Sequence, residues 1–296
     1  MVNFGRLMTA MITPLTESGA IDWPRVAGCI EHLIATGTES VVIAGTTGES
    51  PTLTHREKLE LCRYAVQQAD GRVNIIVGTG SNNTQDSVEL TGEVASTGVD
   101  GVMLVVPYYN KPTQEGLYRH FKIVAQSTSL PVMLYNIPGR SSVNMSVDTM
   151  IRLTNEVENI VMIKESSGNL VDVMELVSRK RKDVAVYSGM DELVIPYMSA
   201  GADGVVSVAS HLAGTSMKEM IEAFIQGKVE QAGEIQRKLI PLVQALFMTS
   251  SPAPLKYAMS QLGLCEEHVR LPVVPLAKEE KEKMDFVLQH LQIERD

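Results

Sequence analysis

Eight short, apolar, β-rich runs recur along the chain, each followed by an amphipathic stretch, and this alternation constrains the fold more than any other feature. The runs cover residues 7–12, 40–44, 74–78, 101–106, 131–135, 159–163, 185–188 and 204–208. Most are continuously apolar rather than alternating, which is the pattern of parallel strands covered on both faces. Strands that alternate with helices imply right-handed βαβ crossovers. Eight such units closing on themselves make a (β/α)₈ TIM barrel, an α/β fold. A doubly wound open sheet competes, but no Gly-x-Gly-x-x-Gly follows the first run. Helical patterns fill the gaps, for example 54–69 and 84–97. Thr54 and Glu57 form a capping-box pair, Ser146 opens another helix, and Gly37, Gly71, Gly98 and Gly201 stand where helices should stop.

The eighth barrel helix is expected to end near Gly227, so residues 1–227 form a barrel that carries the catalytic site. Residues 228–296 look wholly helical, a C-terminal helical domain with helices at 229–248, 253–262 and 278–291; Pro252, Pro254, Pro272 and Pro275 mark its breaks.

Charge and cysteine usage exclude several function classes. A net charge of −9 over 296 residues repels phosphate backbones, which argues against nucleic acid as a partner. No apolar run approaches the length of a membrane span, and residues 1–6 lack the apolar core of a signal peptide. Three scattered cysteines (Cys29, Cys62, Cys265) suit a reducing cytoplasm. The six histidines include no close pair and no His-Glu-x-x-His, so no metal site built from neighbouring ligands is expected.

In a barrel the active site lies at the C-terminal ends of the strands. The second run is followed by Gly45-Thr46-Thr47-Gly48-Glu49-Ser50, which reads equally as a carboxylate-holding turn or as an ordinary Gly-bounded turn. Tyr108 and Tyr109 follow the fourth run, and Tyr135 and Arg140 follow the fifth. These hydroxyls can relay protons, and the guanidinium can clamp a carboxylate; singly, each also reads as a packing tyrosine or a solvated arginine. The sixth run ends in Lys164, which alternation places on one face with Met162 and Ile160. If that face points inward, desolvation favours the neutral amine, a nucleophile that can form a Schiff base; taken alone, Lys164 reads more readily as a lysine snorkelling to water. Gly189 and Gly204 leave room for a small ligand or serve as turn glycines. Asp191 reads as a helix N-cap, and the sixteen methionines read as core filler.

Together, Gly45 through Ser50, the Tyr108-Tyr109 pair, Tyr135-Asn136-Ile137-Pro138-Gly139-Arg140 and Ile163-Lys164-Glu165 resemble the dihydrodipicolinate synthase / N-acetylneuraminate lyase family, in order and spacing over essentially the whole chain. The resemblance implies a lyase of diaminopimelate and lysine biosynthesis, condensing pyruvate with L-aspartate 4-semialdehyde by class I aldolase chemistry. It implies Lys164 as the Schiff-base residue and Tyr135 as proton shuttle, bonded to Thr46. Tyr109 would complete the relay inside a neighbouring subunit's site, so the chain would work as a homodimer or a homotetramer built as a dimer of dimers. Thr47 would hold the pyruvate carboxylate, the Val206 carbonyl would line the site, and Arg140 would bind the semialdehyde carboxylate. This chemistry needs no metal, and no cofactor is implied. Sialic acid lyases of the family generally lack an arginine at position 140, so Arg140 favours the amino-acid aldehyde. Family members inhibited by lysine bind it at positions matching Ser50, His55, Asn82, Asp86 and Tyr108. Here Asp86 is shorter than the usual glutamate, and Lys58 replaces a frequent histidine. A cation at Lys58 repels a dicationic effector, so weak or absent lysine inhibition is expected.

Overall fold

In the computed structural model, which describes residues 3–291, eight parallel strands form a closed barrel in sequential order, with β8 paired to β1. Residues 1–2 and 292–296, the outer ends of the segments expected at 1–227 and 228–296, lie outside the described residues. The order is β1 (Leu7–Ala10), α1 (Trp23–Ala35), β2 (Ser40–Ile43), α2 (His55–Ala69), β3 (Asn74–Gly78), α3 (Thr84–Val94), β4 (Gly101–Val105) and α4 (Gln114–Gln126). It continues with β5 (Val132–Asn136), α5 (Pro138–Ser141), α6 (Val147–Glu156), β6 (Ile160–Glu165), α7 (Leu170–Arg179), β7 (Ala185–Ser188), α8 (Val194–Ser199), β8 (Gly204–Ser207) and α9 (Ser210–Ile225). Local chemistry sets the helix ends. Thr54 accepts from the Glu57 amide while the Glu57 carboxylate accepts from the Thr54 amide, and Ser146 caps α6 by accepting from Thr149. Gly37, Gly71, Gly98 and Gly201 all adopt the positive φ that ends a helix.

Side-chain alternation divides the core in two. Met8, Val42, Ile76, Met103, Met133, Met162, Tyr187 and Val206 fill the barrel, closed from below by Phe4 and topped by Tyr135. The flexible thioethers suit such a tapering interior. The alternate residues, among them Val41, Ile75, Leu104, Leu134 and Ile163, face the helices. β6 breaks the alternation once. Val132 pairs with Ile160 but Met133 pairs with Met162, so Val161 is an extra residue and Ile160 falls outside, under the helices. The shared face expected for Ile160, Met162 and Lys164 therefore holds only for Met162 and Lys164, because a bulge re-aims what precedes it.

Beyond α9 come α10 (Val229–Leu246), α11 (Ala253–Gln261) and α12 (Lys278–His290). α10 lays Ala232 and Leu239 against α8 and α9 and accommodates Pro241 in its interior. The region is not wholly helical. Residues 263–277 form an irregular segment that contains Pro272 and Pro275, whereas Pro254 sits in the first turn of α11, where its missing N–H leaves no hydrogen bond unmade. Among the described residues, no helix is long and apolar enough to cross a membrane.

The fold buries two neutral imidazoles, which gives a pH-dependent stability. His211 Nε2 accepts from the Ile12 amide at 3.2 Å and Nδ1 donates to the Val208 carbonyl at 2.9 Å, so both nitrogens are satisfied in the neutral form. Burial pulls the His211 pKa down to about 4, and burial does the same to His120. A pKa lower in the folded state than in the unfolded one means stability is complete above the unfolded value near 6.5 and is lost as pH falls toward 4, by roughly 3 kcal/mol for a group shifted this far. Glu57, held down to about 2 by Arg270, adds its loss only below about pH 4.5. A falling thermal midpoint between pH 6.5 and 4.5 is thus expected; a flat one would contradict this account.

Candidate active site

Lys164 is the second-last residue of β6, and its side chain is only 5% exposed. It pairs in register with Tyr135 on β5 and Tyr187 on β7, whose side chains also point inward. Its ammonium nitrogen lies over the Tyr135 ring, 4.2 Å from the centroid. It does not snorkel: the amine is enclosed, and desolvation brings its pKa down to about 8. The buried Asp191 carboxylate pulls the pKa upward and the Arg140 guanidinium pushes it further down.

Tyr135 ends the same layer, 4% exposed, and burial pushes its phenol up to about 12. The charge of Arg140 and the hydroxyls of Ser166 and Thr46 act in the other direction, the two hydroxyls from beside the phenol. Ser166 Oγ is buried without a well-formed hydrogen bond of its own, so it is free to serve the phenol. The sequence reading gave Ser166 no role, although period-two alternation from Met162 through Lys164 puts it on the same face. Gly189, after β7, turns out not to leave space for a ligand. A Cβ there would fall on Ser166 Oγ and within 2.8 Å of Lys164 Cε, so the room is taken by the amine's own stem. Gly204 is also not at the site; it starts β8 at the opposite end of the barrel, where a side chain would strike the Arg6 carbonyl.

Asp191 is not the N-cap expected from sequence. It is 3% exposed, and its Oδ2 accepts from the Val208 and Ala209 amides, both at 2.9 Å, which ties the end of β7 to the end of β8. Its Oδ1 is buried without a partner, and burial raises the pKa of this carboxyl group, which lies close enough to Lys164 to act on it electrostatically. On the other side of β6, Glu165 accepts from the Ser167 amide and from Asn136 Nδ2 at 2.9 Å, while Asn136 Oδ1 accepts from the Met145 amide. That network fixes the strand ends from which Tyr135 and Lys164 project.

A cavity of about 210 Å³ opens beside Tyr135, lined by Gly45, Thr46, Ser50, Tyr108, Ile137 and Arg140, among others. Thr47 is buried in the same turn, and Val206 is buried on β8. The exposed Arg140 is carried by the short α5. Thr46, Tyr135 and Arg140 thus line one cavity, with Lys164 against the Tyr135 ring, while Thr47 is buried in the adjoining turn and Val206 lies in the barrel core. The structure does not bring Tyr109 there: that side chain is 89% exposed, on a residue held at φ +75°. Of the five candidate effector residues, Ser50 and Tyr108 line the cavity. His55 instead contacts Glu93 at 3.2 Å, the Asn82 carbonyl accepts from Asn110, and Asp86 is exposed on α3. Among the described residues, no group of three or more His, Cys, Asp or Glu side chains is placed to hold a metal ion.

Comparison with known proteins agrees over the full chain. Residues 3–291 match the model of the dihydrodipicolinate synthetase family. The chain is 51% identical over 287 residues to 4-hydroxy-tetrahydrodipicolinate synthase 1 of Halalkalibacterium halodurans, covering 97% of each. It superposes on the crystal structure of dihydrodipicolinate synthase from Bacillus anthracis with a TM-score of 0.96 at 50% identity, covering 98% of this chain and 99% of that one. The chloride-inhibited dihydrodipicolinate synthase of Acinetobacter baumannii, solved in complex with pyruvate, gives 0.95 at 39% identity, with 99% and 100% covered.

Proposed function

The chain belongs to the dihydrodipicolinate synthetase family, and on that premise we propose how its buried amine works: Lys164 forms a Schiff base with pyruvate, and the resulting carbon nucleophile adds to L-aspartate 4-semialdehyde. The chain is a lyase making 4-hydroxy-tetrahydrodipicolinate, on the route to diaminopimelate and lysine. One observation carries the mechanism: a lysine 5% exposed, over a tyrosine ring, at the C-terminal mouth of the barrel. The Lys164 nitrogen attacks the ketone carbon, water leaves, and the iminium withdraws electrons from the adjacent methyl group. A methyl proton departs, the enamine carbon attacks the aldehyde, and the semialdehyde's amino group then adds to the imine carbon, closing the ring and releasing the Lys164 amine. Tyr135, flanked by Thr46, shuttles protons. Thr47 holds the pyruvate carboxylate, the Val206 carbonyl lines the site, and Arg140 clamps the semialdehyde carboxylate in bidentate fashion. In its ionised form the buried Asp191, whose pKa burial raises, favours the cationic iminium.

The exposed Tyr109 supports a relay completed by a second copy of the chain, hence a homodimer or a dimer of dimers. The three free, buried thiols support the reducing cytoplasm as its location. At the lysine-effector positions, Lys58 is half-buried on α2 and His55 is engaged with Glu93, which favours weak or absent feedback. Millimolar L-lysine is expected to leave the initial rate unchanged; strong inhibition below that would overturn this point.

The test of the function is borohydride reduction with pyruvate followed by peptide mass mapping, alongside turnover with aspartate semialdehyde, a sugar-acid aldehyde and sialic acid. A reduced adduct on Lys164 and preference for the semialdehyde are expected. An unmodified Lys164 would end the proposed mechanism.

A further inference from the structure

The stretch carrying Thr46 and Thr47 is held from outside the barrel. Glu49, three residues after Thr46, adopts φ +56°, a conformation that glycine takes freely and a glutamate takes at a steric cost. Its carboxylate points away from the cavity and is 5% exposed. Oε1 lies 2.5 Å from Nζ of Lys256, a fully buried lysine on α11 that also donates to the His268 carbonyl at 2.8 Å. Oε2 accepts from the Arg270 amide at 2.9 Å. The Arg270 guanidinium donates to the Thr52 carbonyl at 2.6 Å and to the Gly19 carbonyl, and it pairs with Glu57 at 2.5 Å. Residues 256–270 therefore grip the turn at Glu49 and again just beyond it at Thr52. Within the turn, the Glu49 amide donates to the Thr46 carbonyl and the Ser50 amide to the Gly45 carbonyl, both at 3.1 Å, so a shift of Glu49 moves the threonines.

Resting on the reading of Thr46 and Thr47 given above, we propose that Glu49 is a positioning residue for the pyruvate subsite, through which the C-terminal segment sets the two threonines against the amine. The buried pair is a poor device for stability alone, because desolvating both charges offsets most of their attraction. It is a good device for register, since each of the two carboxylate oxygens meets its own donor, Lys256 Nζ and the Arg270 amide, in one geometry. Arg140 stands on a different loop, after β5, outside the grip.

That separation supplies the test. Removing one charge leaves the other buried and unpaired and can unfold the chain, so the variant of choice is the double change Glu49→Gln with Lys256→Met, which removes both. The folded double variant should raise the pyruvate KM about tenfold and lower kcat about tenfold, with the semialdehyde KM within about twofold. A merely structural role would reduce the active fraction, lowering kcat with both KM values unmoved. If the double variant does not fold, Arg270→Gln carries the test, at a partly exposed site, with a shift of about threefold in the pyruvate KM alone. A folded variant with the wild-type pyruvate KM overturns the proposal. Wild-type enzyme that forms no reducible pyruvate adduct would instead overturn the reading of the site on which it rests.

Discussion

Replacing Lys164 with alanine is expected to lower kcat by a factor on the order of 10⁴ to 10⁶ and to remove the borohydride-trapped adduct entirely, because removal of a covalent nucleophile costs about that much. The reason lies in its burial. With a pKa of about 8 the amine is neutral in about one molecule in ten at pH 7, whereas an ordinary lysine is neutral in about one in three thousand. Desolvation thus supplies a few hundredfold in nucleophile concentration before any geometric effect. Because the free enzyme must lose a proton to react, imine formation should rise with pH and level off above about 8. Lys256, the other deeply buried lysine, cannot take over: outside the barrel it is bound to Glu49 and the His268 carbonyl. Lys164→Arg should be as inactive as Lys164→Ala, since a guanidinium stays protonated. The alanine variant should fold, because it removes a desolvated charge while Met162 and Tyr187 still fill the layer. Measurable turnover with an adduct on another residue would refute the assignment.

What could be read in the sequence was what depends on short range. Eight apolar runs gave eight strands, several within a residue of their ends, because continuous β-branched stretches between Gly-bounded helices admit few other solutions. The Thr54–Glu57 box and the helix-stopping glycines are local chemistry and lie where the pattern puts them. Lys164 and Tyr135 were visible as polar residues ending apolar strands. What the sequence hid is long range. A bulge at Val161 cannot be seen in one strand, since it exists only relative to β5. Asp191 looked like a cap because Asp before a helix usually is one; its true partners are amides 17 and 18 residues away. The link between Glu49 and Lys256 spans 207 residues, and no periodicity announces it. Tyr109 is exposed in the single chain, so its contribution depends on a neighbouring copy.

Removing one oxygen from Tyr135 should separate proton transfer from covalent attack. Tyr135→Phe is expected to lower kcat on the order of 10²- to 10³-fold, the usual effect of a positioned acid–base group. The ring remains, so Lys164 keeps the aromatic face beneath its nitrogen and stays enclosed. Imine formation should therefore survive, slowed, and borohydride with pyruvate should still label Lys164. The phenol is suited to a relay because burial, which raises it to about 12, keeps it protonated across the working range. It can then donate to one oxygen while accepting from another, and Thr46 and Ser166 stand beside it to do so. The effect should appear in the steps that move protons: loss of the pyruvate methyl proton, followed as hydrogen exchange at that carbon, should slow by a factor close to the loss in kcat. Thr46→Val should give a smaller loss of the same kind, because Ser166 remains next to the phenol. Full activity in Tyr135→Phe would remove the phenol from the mechanism, and loss of the adduct together with activity would show that the hydroxyl is needed for attack itself.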